Sequence, residues 1–315
     1  MFKKKNIILA VGCSFTDPNF KSMLKHLPDN KKGGWPMWPE LMQRKIEKET
    51  GESYKLINLA QSGVSNDWIF NTFIDALAKY DTRIKIVLIG GTQWMRTHVV
   101  ASDTRFNPQV NDVNVFHGRL DEEVRQKFAK NYEKAMIQMW YLYSNDIGFT
   151  NTIHHNLRIM WTLMNICKNK KIKFIWNQLL SPFTSAHFWR KRLLKEGSVE
   201  GWEINSNLQA WEELKDTLRW TLSDQYFSET VLKSPYAKFL VKHKKHFYGF
   251  SWSKSSPWDL HGWRDTAGPG APVNIVCPEI MINGKKISDG HPNKLGQEQI
   301  TEEIWKEYGN YLVKN

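Results

Sequence analysis

Apolar residues in this chain come in two rhythms. The first is the short continuous run: residues 6–11 (NIILAV) before Gly12, 55–59 (KLINL), 84–89 (IKIVLI) before Gly90-Gly91, and 171–176 (KIKFIW). Runs this short and this rich in Ile and Val predict buried strands. The second rhythm is helical. Within 67–79, Ile69, Phe70, Phe73, Ile74 and Leu77 share one face. Trp38-Pro39-Glu40-Leu41 opens an earlier helix, with Pro in the first turn, where its missing N–H does little harm. Leu41, Ile46 and the Gly51 stop give that helix about three turns. Residues 294–312 predict a closing helix, with Ile300, Ile304, Tyr308 and Tyr311 at helical spacing.

Buried strands alternating with amphipathic helices imply a parallel sheet covered on both faces. Ligands of such sheets sit at the carboxyl ends of the strands, which directs attention to the loops after the first three. The stretch 183–276 breaks the pattern: it is rich in Trp, Lys and Ser and weak in strand signals. Residues 185–196 and 207–222 read as helical, and 246–272 as a long irregular loop punctuated by Gly and Pro. Loops of that length inside a domain are usually functional or disordered. The expected organisation is an α/β core in 1–182, an insertion or lid region in 183–276, and core completion in 277–315. No internal repeat or low-complexity tract interrupts it.

Composition narrows the class. The 315 residues are 41% hydrophobic and 24% charged, ordinary for a soluble globular chain. No segment approaches the roughly eighteen uninterrupted apolar residues of a membrane span. Residues 1–5 are basic and 7–11 apolar, but the apolar run is shorter than the ~7–15 residues of a secretory signal, so a buried strand and synthesis without a signal peptide are expected. Cys13, Cys167 and Cys277 are odd in number, distant and without C-x-x-C spacing, which argues against a disulfide framework and a zinc site. The net charge of +12 favours anionic partners, an acidic glycan among them. The densest basic stretches, 168–173, 190–192 and 242–245, carry no nucleic-acid motif, and a solvated basic face is the expectation for them.

The strand ends carry the candidate chemistry. The first ends in Gly12-Cys13-Ser14-Phe15-Thr16, the second in a loop from Asn58 through Gln61-Ser62-Gly63 to Asn66, and the third in Gly90-Gly91-Thr92-Gln93-Trp94. Asp289-Gly290-His291-Pro292 precedes the last helix. A strand-end serine becomes nucleophilic when an imidazole takes its proton, a carboxylate orients the imidazole, and N–H donors meet the oxyanion.

These four blocks, in this order, resemble the SGNH (GDSL-like) hydrolase family. Gly12 to Thr16 stands for its G-D-S-x-S, with Cys13 in the Asp place. Gly63 matches the second-block glycine, Gly90 to Gln93 or Gly91 to Trp94 loosely matches G-x-N-D, and Asp289 and His291 match the final pair. Trp38-Pro39 also matches, and G-C-S-F-T with W-P is similar to bacteriophage-encoded members. The resemblance covers the first three blocks and the stretch from Asp289 onward, not the middle. It implies a flavodoxin-like three-layer α/β/α sandwich and a serine esterase acting on acyl esters, acetyl included, of a carbohydrate. It implies Ser14 as nucleophile, His291 as base and Asp289 as orienting group. The Ser14 and Gly63 N–H groups, with Thr92 or Gln93, would form the oxyanion hole, and no cofactor or metal is required. Two departures stand out. The family Asn is replaced by Thr92 or Gln93, and only Gly290 separates Asp289 from His291 where two residues are usual. They motivate an alternative: a non-catalytic binding or virion structural protein on the same scaffold.

Other candidates are plainer. Adjacent His154 and His155 face different directions on a helix and are expected in surface or core roles. His243 and His246, at i, i+3, are expected on a solvated basic face. Trp252, Trp258 and Trp263 in the Gly/Pro-rich loop suit a substrate-binding role, and Arg96 suits an anionic substrate group.

Overall fold

The computed structural model describes residues 5–20, 35–94, 98–100, 112–114, 146–179, 230–231, 233–248, 280–282, 285–287, 292 and 294–314. Along the chain these form β1 (Asn6–Gly12), α1 (Trp38–Thr50), β2 (Tyr54–Asn58), α2 (Asn66–Tyr80), β3 (Ile84–Gly91), β4 (His98–Val100), β5 (Asp112–Asn114), α3 (Asp146–Asn169), β6 (Lys173–Gln178), α4 (Ala237–Lys242), β7 (Phe247–Tyr248), β8 (Ile280–Ile282), β9 (Lys285–Ile287) and α5 (Lys294–Val313). The main sheet has the order β2-β1-β3-β6-β7. Every pairing in it is parallel. β4 with β5, and β8 with β9, form separate antiparallel pairs.

The strands are central because they are apolar on both faces: Ile7 to Val11 of β1 are all fully buried, as are Val87, Leu88 and Ile89 of β3. Neighbouring glycines of β3 reveal the two faces, since successive residues of a strand point opposite ways. A Cβ on Gly90 would meet Thr16, whose hydroxyl accepts a bond from the Trp38 indole of α1 at 3.1 Å. A Cβ on Gly91 would meet the Trp176 indole at 2.5–2.8 Å. α1 and α5 pack against each other on the first side, burying Trp38, Met42 and Ile46 with Ile300, Ile304, Tyr308 and Leu312. α2 and α3 cover the other, where Asn156 of α3 reaches the Trp94 carbonyl at 3.2 Å. This is the expected α/β fold with a parallel sheet between helical layers. Among the described residues, no helix is long and apolar enough to cross a membrane.

Three local expectations are corrected. Gly90 and Gly91 continue β3 rather than ending it, because their missing side chains make room for Thr16 and Trp176. β6 starts at Lys173 and runs to Gln178. Residues 170–172 close α3 instead, with Lys171 in the left-handed region at φ 57° and Ile172 N–H bonded to the Cys167 carbonyl at 2.8 Å. Phe247 and Tyr248, placed in an irregular loop by their surroundings, form an edge strand paired as Trp176↔Phe247 and Asn177↔Tyr248. A two-residue strand is too short to display a period. The helices expected at 185–196 and 207–222 lie outside the described residues.

Candidate active site

β1 delivers Ser14 to the carboxyl edge of the sheet. Just past Gly12 the chain turns sharply: the Cys13 carbonyl accepts from the Thr16 N–H at 2.8 Å and the Asp17 N–H at 3.0 Å. Ser14 sits inside this turn, largely buried. Three elements hold the turn in place. Trp38 of α1 donates to the Thr16 hydroxyl, Asn58 at the end of β2 donates to the Thr16 carbonyl at 2.8 Å, and Gln297 of α5 donates to the Phe15 carbonyl at 3.2 Å. Gln297 also accepts the Trp38 N–H at 2.9 Å, tying α5 to α1 directly beneath the serine turn. Thr16 packs over the Gly12–Gly90 row, and any side chain at either glycine would displace it.

The Gly63 loop is bound to the serine turn. Asp17, also buried, accepts the Ser62 N–H at 2.9 Å and the Ser62 hydroxyl at 2.7 Å through Oδ2, and the Asn19 N–H at 2.8 Å through Oδ1. The Gln61 N–H reaches the Gly12 carbonyl at 3.0 Å. Gly63 itself adopts φ 82°, the left-handed conformation that glycine takes without a Cβ penalty. Ser65 then caps α2, accepting the Trp68 N–H at 3.3 Å.

A polar belt fixes the end of β3. The Thr92 N–H donates to Asn66 Oδ1 at 3.1 Å, and the Thr92 carbonyl accepts from Gln178 Nε2 at 2.8 Å. Asn66 donates to Asn156 Oδ1 at 2.7 Å, while Gln178 Oε1 accepts both the Trp94 and the Trp176 indole N–H. The backbone of Thr92 is thus pinned on both sides, yet its hydroxyl is buried and, among the described residues, has no hydrogen-bond partner. A buried, unpaired hydroxyl costs about 1–3 kcal/mol and calls for an explanation. Asn177, the register partner of Gly90, likewise has both amide atoms buried and unpaired among the described residues.

The described residues therefore bring together Ser14, Gly63, Thr92 and Gln93 at one edge of the sheet. Asp289, His291, Arg96, Trp252, Trp258 and Trp263 lie outside them. Pro292 is buried, and α5 begins at Lys294, so Gln297 touches the serine turn from the first turn of that helix. Sequence reasoning missed Asp17, Asn58, Asn66, Asn156, Asn177, Gln178 and Gln297. A signal existed for some of them: polar residues end otherwise apolar strands at Asn58, Thr92-Gln93 and Asn177-Gln178.

Two of the described histidines make structural contacts. His155 pairs with Asp67 and with Arg158, partly exposed. His246 departs from the expected solvated face. Its Nδ1 bonds to the Phe174 carbonyl at 3.1 Å and its ring packs on Tyr311, so burial, with nearby Lys245, His243 and Lys168, holds its pKa below the usual histidine value.

Asp17 gives a direct check on how the two loops are joined. In Asp17→Asn an N–H₂ replaces one acceptor while the volume is kept, leaving either the two Ser62 donors or the Asn19 N–H unmatched. The expected loss is about 1–3 kcal/mol of stability, read from a denaturant midpoint. An unchanged midpoint would show that the Asp17–Ser62 link contributes nothing.

No protein-family model matches this chain, and no curated protein matches it in sequence. Among solved structures it is similar to the lipase Lip_vut3 from a goat rumen metagenome, at 12% identity and TM-score 0.40, covering 96% of this chain and 97% of that one. It is similar to the psychrotrophic esterase EstA from Pseudoalteromonas sp., at 14% identity and TM-score 0.35, covering 98% and 100%. It is also similar to Axe2, an acetylxylan esterase from Geobacillus stearothermophilus, at 13% identity and TM-score 0.34, covering 98% and 97%.

Proposed function

We propose that the chain is a serine esterase of the SGNH type, cleaving acyl esters, acetyl among them, on a carbohydrate. Ser14 attacks the acyl carbon, and His291 takes the hydroxyl proton and returns it to the leaving alcohol. Asp289 orients the imidazole. The Ser14 and Gly63 N–H groups, with the Thr92 hydroxyl, hold the oxyanion, and water then releases the acyl group by the same route in reverse. The observation that carries this reading is the joined pair of loops: a strand-end serine turn bonded through Asp17 to the loop bearing left-handed Gly63, beside a buried Thr92 hydroxyl that has no partner. His291 is supported by its place just before a helix whose Gln297 is bonded to Phe15, next to Ser14. Trp252, Trp258, Trp263 and Arg96 are proposed to select the substrate. A fluorophosphonate probe tests the whole: covalent labelling at Ser14 is expected, and absence of labelling on folded protein favours the second reading, a non-catalytic binding or virion protein. The altered third block motivates that alternative.

The base and its orienting group separate in a second measurement. Only Gly290 separates the two where the family this chain resembles usually has two residues, so Asp289→Asn is expected to lose less kcat than His291→Ala. Equal losses would indicate a conventional triad.

A further inference from the structure

The carboxyl edge of the sheet does not account for the basic stretches. Two of them, far apart in sequence, meet at the opposite rim. α3 ends and enters β6 through Lys168, Lys170 and Lys171, and α4 ends and enters β7 through Lys242, Lys244 and Lys245. β6 and β7 are hydrogen-bonded parallel neighbours, so both turns lie side by side at the amino-terminal ends of their strands. The bond from His246 Nδ1 to the Phe174 carbonyl joins the second turn to the start of β6. All six lysines are exposed, and neither turn contains an acidic residue. Lys170 bonds to Asp81 at 3.0 Å, and among the described residues the other five make no ion pair. Lysines near a helix C-terminus are favourable in themselves, but each of these ends carries three, and His243 lies between the groups. Lys168, Lys242 and Lys245 are close enough that, after burial, their charge contributes to holding the His243 pKa down.

We propose that this rim is a docking surface for an acidic polysaccharide, a chain bearing regularly spaced carboxylates. The chemistry of the patch selects that partner. Its exposed cations are lysines, compact point charges on flexible stems that can meet the carboxylates of a polymer one at a time. Its rings face one another, His243 on Phe239 at 4.6 Å and on His246 at 6.2 Å, and His246 on Tyr311 at 5.2 Å, which leaves no platform for stacking bases. Both helices end at the rim, so neither projects to enter a nucleic-acid groove. The large exposed hydrophobic among the described residues, Leu295, is on the first turn of α5 and not in this patch, so there is no apolar anchor for a lipid surface. The rim lies one strand length from Ser14, on the order of 20 Å at ~3.3 Å per residue, so a polymer held there leaves the carboxyl edge open. The proposal stands whether or not Ser14 is a nucleophile.

Affinity electrophoresis of the full chain through gels containing alginate, duplex DNA or neutral dextran tests it. The expected result is retardation by alginate that weakens with added salt, and none by dextran. Changing Lys168, Lys171, Lys242 and Lys245 together to Gln should weaken alginate binding about tenfold or more. A control with the same charge change at exposed Lys48, Lys55, Lys294 and Lys306 should alter it less than about twofold. A Lys168→Gln/Lys245→Gln double variant with a wild-type melting curve and an intermediate loss guards against a folding artefact. Equal losses in the two quadruple variants reduce the effect to net charge and overturn the proposal, as does absence of retardation. Tighter retention by DNA at matched charge, lost through the same lysines, assigns the surface to nucleic acid instead and overturns it as well.

Discussion

Ser14→Ala is expected to lower turnover of a short-chain aryl ester by roughly four orders of magnitude or more, with the folded structure intact. The reasoning starts from β1. Its apolar run is spent at Gly12, and the turn that follows is held by the Cys13 carbonyl, the Thr16 side chain and the Phe15 carbonyl. None of those bonds passes through the Ser14 hydroxyl, so alanine should keep the turn. What it removes is the atom proposed to become bonded to the acyl carbon. No described neighbour in the turn offers a substitute: the Thr16 hydroxyl is taken up by Trp38 over the Gly12–Gly90 row. Residual rate would come from the proposed oxyanion donors acting on water, as it does when a serine hydrolase loses its nucleophile. The measurement is kcat/KM beside a thermal melt. Wild-type turnover in a folded Ser14→Ala protein would remove Ser14 from the chemistry, and a collapsed melt would make it a structural residue.

How far the sequence reached depended on the range of each interaction. Ile7 to Val11 and Ile84 to Ile89 announce themselves as buried strands because both faces of a central parallel strand are apolar, a local property of the chain. α1 is equally local: Pro39 near its start and Gly51 at φ 68° beyond its end stand in the text as they do in space. The contacts that turn strand ends into a site are not local. Asp17 finds Ser62 across 45 positions, and Gln297 finds Phe15 across 282. Nothing in the spacing of a single aspartate or glutamine distinguishes such a contact from surface polarity. Gly90 and Gly91 were legible as a break but not as a packing device, since the residues that need the space, Thr16 of the serine turn and Trp176 of β6, come from elsewhere in the chain. The roles proposed for Asp289 and His291 rest on family resemblance, not on any local pattern. The two basic stretches were legible singly, while their convergence required knowing that β7 pairs with β6.

Thr92→Val separates the catalytic reading of the third block from a structural one more sharply than any deletion would. The backbone N–H and carbonyl of Thr92 are matched by Asn66 and Gln178, while its hydroxyl is buried and unmatched among the described residues. Valine keeps the shape and removes the hydroxyl, so the folded state loses no hydrogen bond and sheds an unsatisfied group. Stability should be unchanged or raised by up to about 1 kcal/mol. Catalysis should behave oppositely. A donor that meets the oxyanion only in the transition state is worth ~10²–10³ in rate, and its loss falls on kcat while KM stays nearly constant. Thr92→Ser restores a hydroxyl on the same backbone, itself held by Asn66 and Gln178, and should recover most of the rate. Rate and stability moving apart, with rescue by serine, is the pattern an oxyanion donor requires. If kcat and stability fall together in the valine variant, the hydroxyl is supporting the fold. If neither moves, Thr92 is not the donor, and Gln93, the other third-block side chain at that edge, becomes the residue to replace.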